Sequence, residues 1–338
     1  MKDGKVVVVT GASGGFGRLM SETLARAGHR VFATMRDLHA RNAQAAAGIA
    51  ELAQRESLSL HTLELDVTDE DSVARAIEHA TAAYGRIDVL VNNAGSAILD
   101  LAESVTTAQA QRLFDTNFFG VVRMNRAVLP VMKRQRSGLL LHVSSGAGRL
   151  AIPAMGLYCA SKFAMEALAE AYRYELAPLG IDSVLLEPGA YPTPLMTKIE
   201  RGEDHDRNIG YGDMAAVPER IHALLASSKA NPQEIADSVL HIIETPPGQR
   251  QLRYRVSTND LGVTRINALT DEVQARMLEA FGIAEATRFA QEGSNGQLSS
   301  WMTASPSALA SRTAGQDILF IRATGFLSTL LPMPAPRS

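Results

Sequence analysis

The chain has 338 residues, 46% of them hydrophobic, enough to bury a large core as one α/β domain with an appendage or as two domains. A formal net charge of −3 and a pI near 6.3 leave no basic footprint for nucleic acid, and eight scattered histidines with one cysteine, Cys159, make neither a zinc centre nor a disulfide framework available. No uninterrupted apolar run reaches bilayer-spanning length and no secretory pattern precedes Val6-Val7-Val8-Val9, so a cytoplasmic protein without a membrane span is expected.

Lys5 to Thr10 reads as a short β-branched strand, buried on both faces as in the centre of a parallel sheet. Thr10-Gly11-Ala12-Ser13-Gly14-Gly15-Phe16-Gly17 then leads into a helix over Arg18 to Ala27. Strand, glycine-rich turn and helix in that order present backbone N–H groups and a helix N-terminus to a pyrophosphate. Gly11 permits the tight turn, Gly15 lets phosphates approach the backbone, and Gly17 lets the helix pack closely on the strand. A second strand, Arg30 to Thr34, ends at Met35-Arg36-Asp37. An acid at this place accepts from a ribose 2′-hydroxyl, whereas an arginine pairs with a 2′-phosphate. Met35 stands where the acid is sought, Arg36 follows, and Ser13 adds a polar group, so NADP(H) is expected in preference to NAD(H). The competing reading makes Asp37 the ribose ligand and Arg36 a solvated loop residue.

Arg41 to Glu56 is an alanine-rich helix, and Leu58 to Leu65 is a strand closing at Asp66-Val67. There the Asp66 side chain and the Val67 backbone face an adenine amino group. Asp66 also suits a helix cap, since Thr68 to Asp71 open a helix carrying Val73, Ala76, Ile77, Ala80 and Tyr84 on one face. The fourth strand, Ile87 to Val91, runs into Asn92-Asn93-Ala94-Gly95, at the edge where open α/β sheets bind ligands. One long helix is predicted from Thr106 to about Arg136, bent near Pro130, with Asn117 in mid-helix and Gly120 three residues on. A helix–helix hydrogen bond and a catalytic role for Asn117 are equally open. The fifth strand, Leu139 to Val143, ends in Ser144-Ser145-Gly146. The sixth, Ile181 to Leu186, ends in Glu187-Pro188-Gly189, with Thr193 four residues later. This alternation predicts a Rossmann-type doubly wound parallel sheet, its functional residues at the carboxyl ends of strands or on the helix after the fifth.

That helix carries Tyr158-Cys159-Ala160-Ser161-Lys162, with phenol and ammonium one turn apart on one face. Lowering a tyrosine from about 10 to about 7 takes roughly 4 kcal/mol. A cation about 4 Å away at an effective dielectric near 20 supplies about that much. Alone, so short a pattern is more often a surface helix; the surrounding motifs change its meaning.

The glycine turn, Asn92-Asn93-Ala94-Gly95, Asn117, a serine thirteen positions before the tyrosine, Tyr158-xxx-Lys162 and Pro188-Gly189-xxx-Thr193 occur in order over about residues 5–195. In this the chain resembles the short-chain dehydrogenase/reductase family, and within it the hydroxysteroid and retinol dehydrogenase branch most of all. The resemblance implies an oxidoreductase interconverting a carbonyl and an alcohol, in that branch a lipophilic one, with NADP(H) favoured by Arg36. It implies that Tyr158 is the general acid or base and that Lys162 lowers its pKa and holds the nicotinamide ribose. Ser145 would donate to the substrate oxygen, Asn117 orient a water, and Thr193 grip the carboxamide. Gly11, Ser13, Gly15, Gly17, Arg36, Asp66, Val67, Asn93, Ala94, Gly95, Pro188 and Gly189 complete the expected cofactor site, and a homo-oligomer, dimer or tetramer, is expected. The alternative is a catalytically silent NADP(H)-binding sensor.

Tyr191 to Ala230 is the expected substrate lid, stiffened by Pro192 and Pro194; pocket and covering roles are not separable among Met196, Ile199, Ile209, Tyr211 and Met214. Asn231-Pro232 reads as a capped start of a helix running to about Glu244, Arg253 to Ser257 as the last strand, and Glu272 to Phe281 as a short helix. The expected division is a catalytic domain over 1–260 with its lid at about 190–230, a helical extension over 261–285, and a loosely ordered tail over 286–338.

Overall fold

The computed structural model describes residues 4–290. Most of the expected tail, including the short apolar pieces Ile318 to Ile321 and Phe326 to Leu331, lies outside the described residues.

Strand β1 (Val6–Val9) shows why a continuous valine run becomes a central strand. Side chains alternate across a strand, so Val7 and Val9 enter the core on one face of the sheet and Val6 and Val8 the core on the other. Helix α1 (Gly15–Arg26) follows, then β2 (Arg30–Met35), α2 (Ala43–Glu56), β3 (Leu60–Glu64), α3 (Glu70–Tyr84) and β4 (Val89–Asn92). The predicted long helix is not continuous. Helix α4 (Thr107–Phe114), started by a capping box between Thr106 and Gln109, passes into a π-helical turn over Asp115–Phe119 before α5 (Gly120–Gln135). Strand β5 (Gly138–Val143), α6 (Gly156–Leu176) and β6 (Ile181–Pro188) complete the expected alternation.

The segment expected to form the lid contains three short 3₁₀ turns and α7 (Val217–Ala226). It is pinned to the loop after β4 by reciprocal backbone bonds, Leu99 N to Glu200 O and Glu200 N to Ala97 O, each 3.0 Å. Helix α8 (Gln233–Glu244) starts as expected, with the Asn231 side chain accepting from Gln233 N at 3.1 Å, and packs on α1. Strand β7 (Arg253–Val256) is followed by α9 (Val263–Ala280), which begins nine residues before the helix predicted at Glu272.

The sheet has seven strands in the order β3-β2-β1-β4-β5-β6-β7, every adjacent pair parallel. Its strand order reverses between β1 and β4, and the crevice there is where doubly wound sheets receive a ligand. Helices α1, α2 and α8 contribute to one core and α3 and α5 to the other.

The late start predicted for α9 has a physical cause. Its residues Asn267, Thr270, Asp271 and Gln274, spaced i, i+3, i+4 and i+7, form one helix face. This face is polar and meets buried charge: Asn267 donates to Glu187 at 2.8 Å, Thr270 accepts from Arg149 at 2.6 Å, Asp271 pairs with Arg253, and Gln274 donates to Glu170. Leu269, Val273, Met277 and Phe281 lie exposed. Apolar periodicity therefore points away from the packed side and conceals the first half of the helix.

Candidate active site

The glycine-rich turn leaves β1 and enters α1 at Gly14, an extended N-cap with no side-chain cap bond, so no side chain takes up the first-turn N–H groups. Gly11 and Gly15 have φ of +70° and +54°, the left-handed region open to glycine. A Cβ on Gly17 would strike the Gly11 carbonyl oxygen and stand 2.6 Å from Asn93 Nδ2. Backbone donors not taken up by a capping side chain, at a helix N-terminus in the crevice, fit a dinucleotide pyrophosphate. Ser13 is half-buried beside them. Thr193 and Pro194 close over the turn, lining with Gly15 and Arg18 a cleft of about 410 Å³.

Asn93 ties β4 to this turn: its amide nitrogen donates to Thr10 O at 2.8 Å and Gly11 O at 3.2 Å, and its backbone N–H to Thr10 Oγ1 at 2.9 Å. Its side chain serves the backbone that shapes the glycine-rich turn. Ala94 N also donates to Thr10 Oγ1, at 2.9 Å. At the end of β2, Met35 is buried in the core while Arg36 is exposed, its guanidinium 4.0 Å from Asp66. Asp37 has φ of +52°, and its backbone N–H is held by Glu64 at 2.8 Å.

Asp66 does not cap α3. It accepts from Thr68 N and Thr68 Oγ1, at 2.9 and 2.8 Å, and so closes the turn before the helix; the cap is Asp69, which accepts from Asp71 N at 3.0 Å. The reason is spacing: a side chain four residues ahead of the first helical residue, Glu70, meets the preceding turn's N–H groups before the helix's. Val67 packs against Gly120, where a Cβ would come within 2.8 Å of Val67 Cγ2.

Asn117 lies in the π-helical turn, an element often found at functional sites, and is 1% exposed. Its Oδ1 accepts from Ser96 N at 2.9 Å, and its Nδ2 donates to Ser96 O and to Ser161 Oγ, both at 3.0 Å. It thereby joins the loop after β4 to α6. Ser161, which sequence reasoning passed over, donates in turn to Tyr158 O at 2.8 Å.

Ser145 begins the 3₁₀ turn after β5, accepting from Ala147 N at 3.1 Å, and its hydroxyl acts to lower the Tyr158 pKa. Burial outweighs this and pushes the Tyr158 phenol up to about 12. The expected lowering toward 7 is absent for a geometric reason. Lys162 Nζ donates to Val143 O at 2.9 Å and lies 6.0 Å from the Tyr158 ring centroid. Burial pushes Lys162 itself down to about 8, with Glu166 opposing. Pro188 ends β6 opposite Val256, and Gly189 permits close passage of Ser257, whose Cβ would be 2.8 Å from a glycine Cβ.

Above Tyr158 the walls are apolar. Leu195 and Ile199 at the lid's start and Val217, Ile221 and Leu225 of α7 pack into one cluster with Ile152, Met155 and Tyr158. Of the five lid residues singled out in the sequence, Ile199 faces this cluster, while Ile209, Tyr211 and Met214 are exposed. Beneath it lie charges the sequence did not suggest: Glu166, Glu170 and Glu187 with Arg149 and Arg253. The available signal was the four-residue repeat Tyr158, Lys162, Glu166, Glu170, a polar stripe on the buried face of α6. Among the described residues no cluster of metal-ligating side chains occurs and no helix is long and apolar enough to cross a membrane.

Residues 5–204 match the family model for short chain dehydrogenases, and the chain belongs to that family. It is 35% identical over 295 residues to human 17-beta-hydroxysteroid dehydrogenase type 1, covering 82% of this chain and 86% of that protein. Human retinol dehydrogenase 8 is 34% identical over 273 residues, 75% of this chain and 83% of the relative. A short-chain dehydrogenase structure from Streptomyces avermitilis superposes with a TM-score of 0.66 at 30% identity, covering 86% of this chain and all of that one. The protein is thus an NAD(P)-dependent dehydrogenase/reductase acting on CH–OH groups.

Proposed function

We propose that this enzyme interconverts a lipophilic carbonyl and its alcohol with NADP(H), using Tyr158 as general acid and base. The observation that carries this reading is the Tyr158 phenol of α6, buried within the apolar cluster with Lys162 one turn further on, while Ser145 at the end of β5 acts on the same phenol. When bound, the nicotinamide supplies or accepts the hydride. Tyr158, held as a phenol by burial, is in the form that donates a proton to a carbonyl oxygen, and Ser145 supplies a second hydrogen bond as charge gathers there. Lys162 and Asn117 shape the floor. The exposed Arg36 guanidinium at the end of β2 suits a 2′-phosphate, which favours NADP(H). The apolar lid cluster suits a hydrophobic substrate, in keeping with relatives named for retinol and a hydroxysteroid. Exposed Phe119 and Phe163 offer apolar surface for a second copy in a homo-oligomer.

The test is NADPH oxidation against a panel of ketones and aldehydes of graded hydrophobicity, with Tyr158→Phe beside the wild type. The variant should lose about 10²- to 10⁴-fold in rate and still bind NADPH. Undiminished turnover by Tyr158→Phe would overturn the acid–base assignment, and preference for small polar ketones the lipophilic one.

A further inference from the structure

We propose that Glu166 is a positioning residue that sets the Ser145 hydroxyl in register with the Tyr158 hydroxyl, by holding Ser144 to helix α6. The inference rests on the reading that those two hydroxyls act on one substrate oxygen.

The two hydroxyls stand on different elements, and rate is sensitive to their relative placement: an error of about 1 Å costs on the order of 100-fold. A tie between the end of β5 and α6 is therefore required, and one is present. Glu166 is 1% exposed, one turn after Lys162 on the same face, and Ser144 Oγ donates to its Oε1. The amide of Ser144 donates to Leu186 O at 2.7 Å. The residue preceding Ser145 is thus fixed to the sheet by its backbone and to α6 by its side chain.

The following turn closes directly over this bond. A Cβ on Gly148 would strike Glu166 Oε1 and stand 2.7 Å from Ser144 Oγ. The other carboxylate oxygen, Oε2, has no hydrogen-bond partner among the described residues and faces Arg149 Nε, likewise without one, at 3.8 Å. Arg149 is itself held by Thr270 of α9 at 2.6 Å and Glu170 at 3.2 Å. Hydrophobic packing alone would place a leucine at position 166, because burying a carboxyl group is costly, and burial pushes this one up to about 8. A buried carboxyl group whose direct hydrogen bond goes to the neighbour of Ser145 is explained by the alignment that bond imposes.

The experiment compares Glu166→Gln, Glu166→Leu, Ser144→Ala and Glu166→Leu/Ser144→Ala, with Tyr158→Phe alongside, in NADPH-dependent ketone reduction. Gln retains an acceptor for Ser144 and should keep kcat within about threefold, whereas Leu and the Ser144 variant should each lose about 10- to 100-fold with KM for NADPH nearly unchanged. The double variant should be no worse than the poorer single one. Wild-type kcat in folded Ser144→Ala, or an equal loss in Gln and Leu, overturns the proposal. If Glu166→Leu does not fold, Ser144→Ala decides. An active Tyr158→Phe removes the reading of the site and this inference with it; an inactive Tyr158→Phe beside a fully active Ser144→Ala refutes the positioning role alone.

Discussion

Lys162 Nζ lies 6.0 Å from the centroid of the Tyr158 ring and donates to the Val143 carbonyl oxygen. The cation braces the end of β5 instead of the phenol, and the positive charge it brings to the buried site depends on Lys162 staying protonated.

That dependence fixes a pH limb. Lys162 is pushed down to about 8, so its ammonium prevails below that pH and is lost as the pH rises through it. For carbonyl reduction, kcat/KM is expected to fall on the alkaline side near pH 8, and Lys162→Arg, which stays charged, should abolish that limb whatever its overall rate. A wild-type profile flat to about pH 10, near the ordinary lysine pKa, would contradict it.

Cofactor choice should follow Arg36. A charge-assisted bond to a 2′-phosphate contributes about 1.5–3 kcal/mol, roughly a 10- to 100-fold effect. Arg36→Leu should weaken NADPH binding by that factor and leave NADH binding unchanged, as read by quenching of intrinsic fluorescence. Equal loss for both nucleotides would place Arg36 away from the phosphate.

The glycine cradle should tolerate no side chain at Gly17. With Gly11 O and Asn93 Nδ2 in the way, Gly17→Ala is expected to cost about 1–3 kcal/mol in stability and to displace the turn proposed to receive the pyrophosphate. Thermal melts with and without NADPH report both effects; a variant that melts like the wild type and is equally stabilised by NADPH would show the cradle to be slack.

His142 gives a prediction for stability alone. Fully buried and hydrogen-bonded near Asn92 and Ser183, both at 3.3 Å, it is pushed by burial down to about 3. A depressed pKa contributes stability that is complete above the ordinary value near 6.5 and is lost as pH falls toward 3, at about 1.36 kcal/mol per unit. Urea unfolding at about pH 7 and pH 4.5 should show a smaller acid loss for His142→Gln than for the wild type, even if the variant is less stable at neutrality. Parallel losses would assign acid sensitivity elsewhere.

The sheet was legible because its central strands β1, β4, β5 and β6 are mainly apolar runs closed within two residues by glycine, asparagine or serine, a pattern set by local chain chemistry. The cradle was legible too, since Gly11, Gly15 and Gly17 meet backbone requirements that almost no other residue meets. Asn117 was visible but not interpretable: the π-helical turn leaves no periodic trace, and its partners Ser96 and Ser161 come from distant segments. The first half of α9 was hidden because its packed face is polar.

By itself, the sequence determined the alternation of strands and helices and the residues at the carboxyl edge, which follow from local propensity and spacing, and its motifs carried the resemblance to the family. Only the tertiary structure decided that Tyr158 is held as a phenol, that Lys162 turns to Val143, and that Glu166 and α9 lie over a bed of buried charge. Those are consequences of desolvation and of contacts between segments far apart in the chain, and neither quantity exists until the chain is folded.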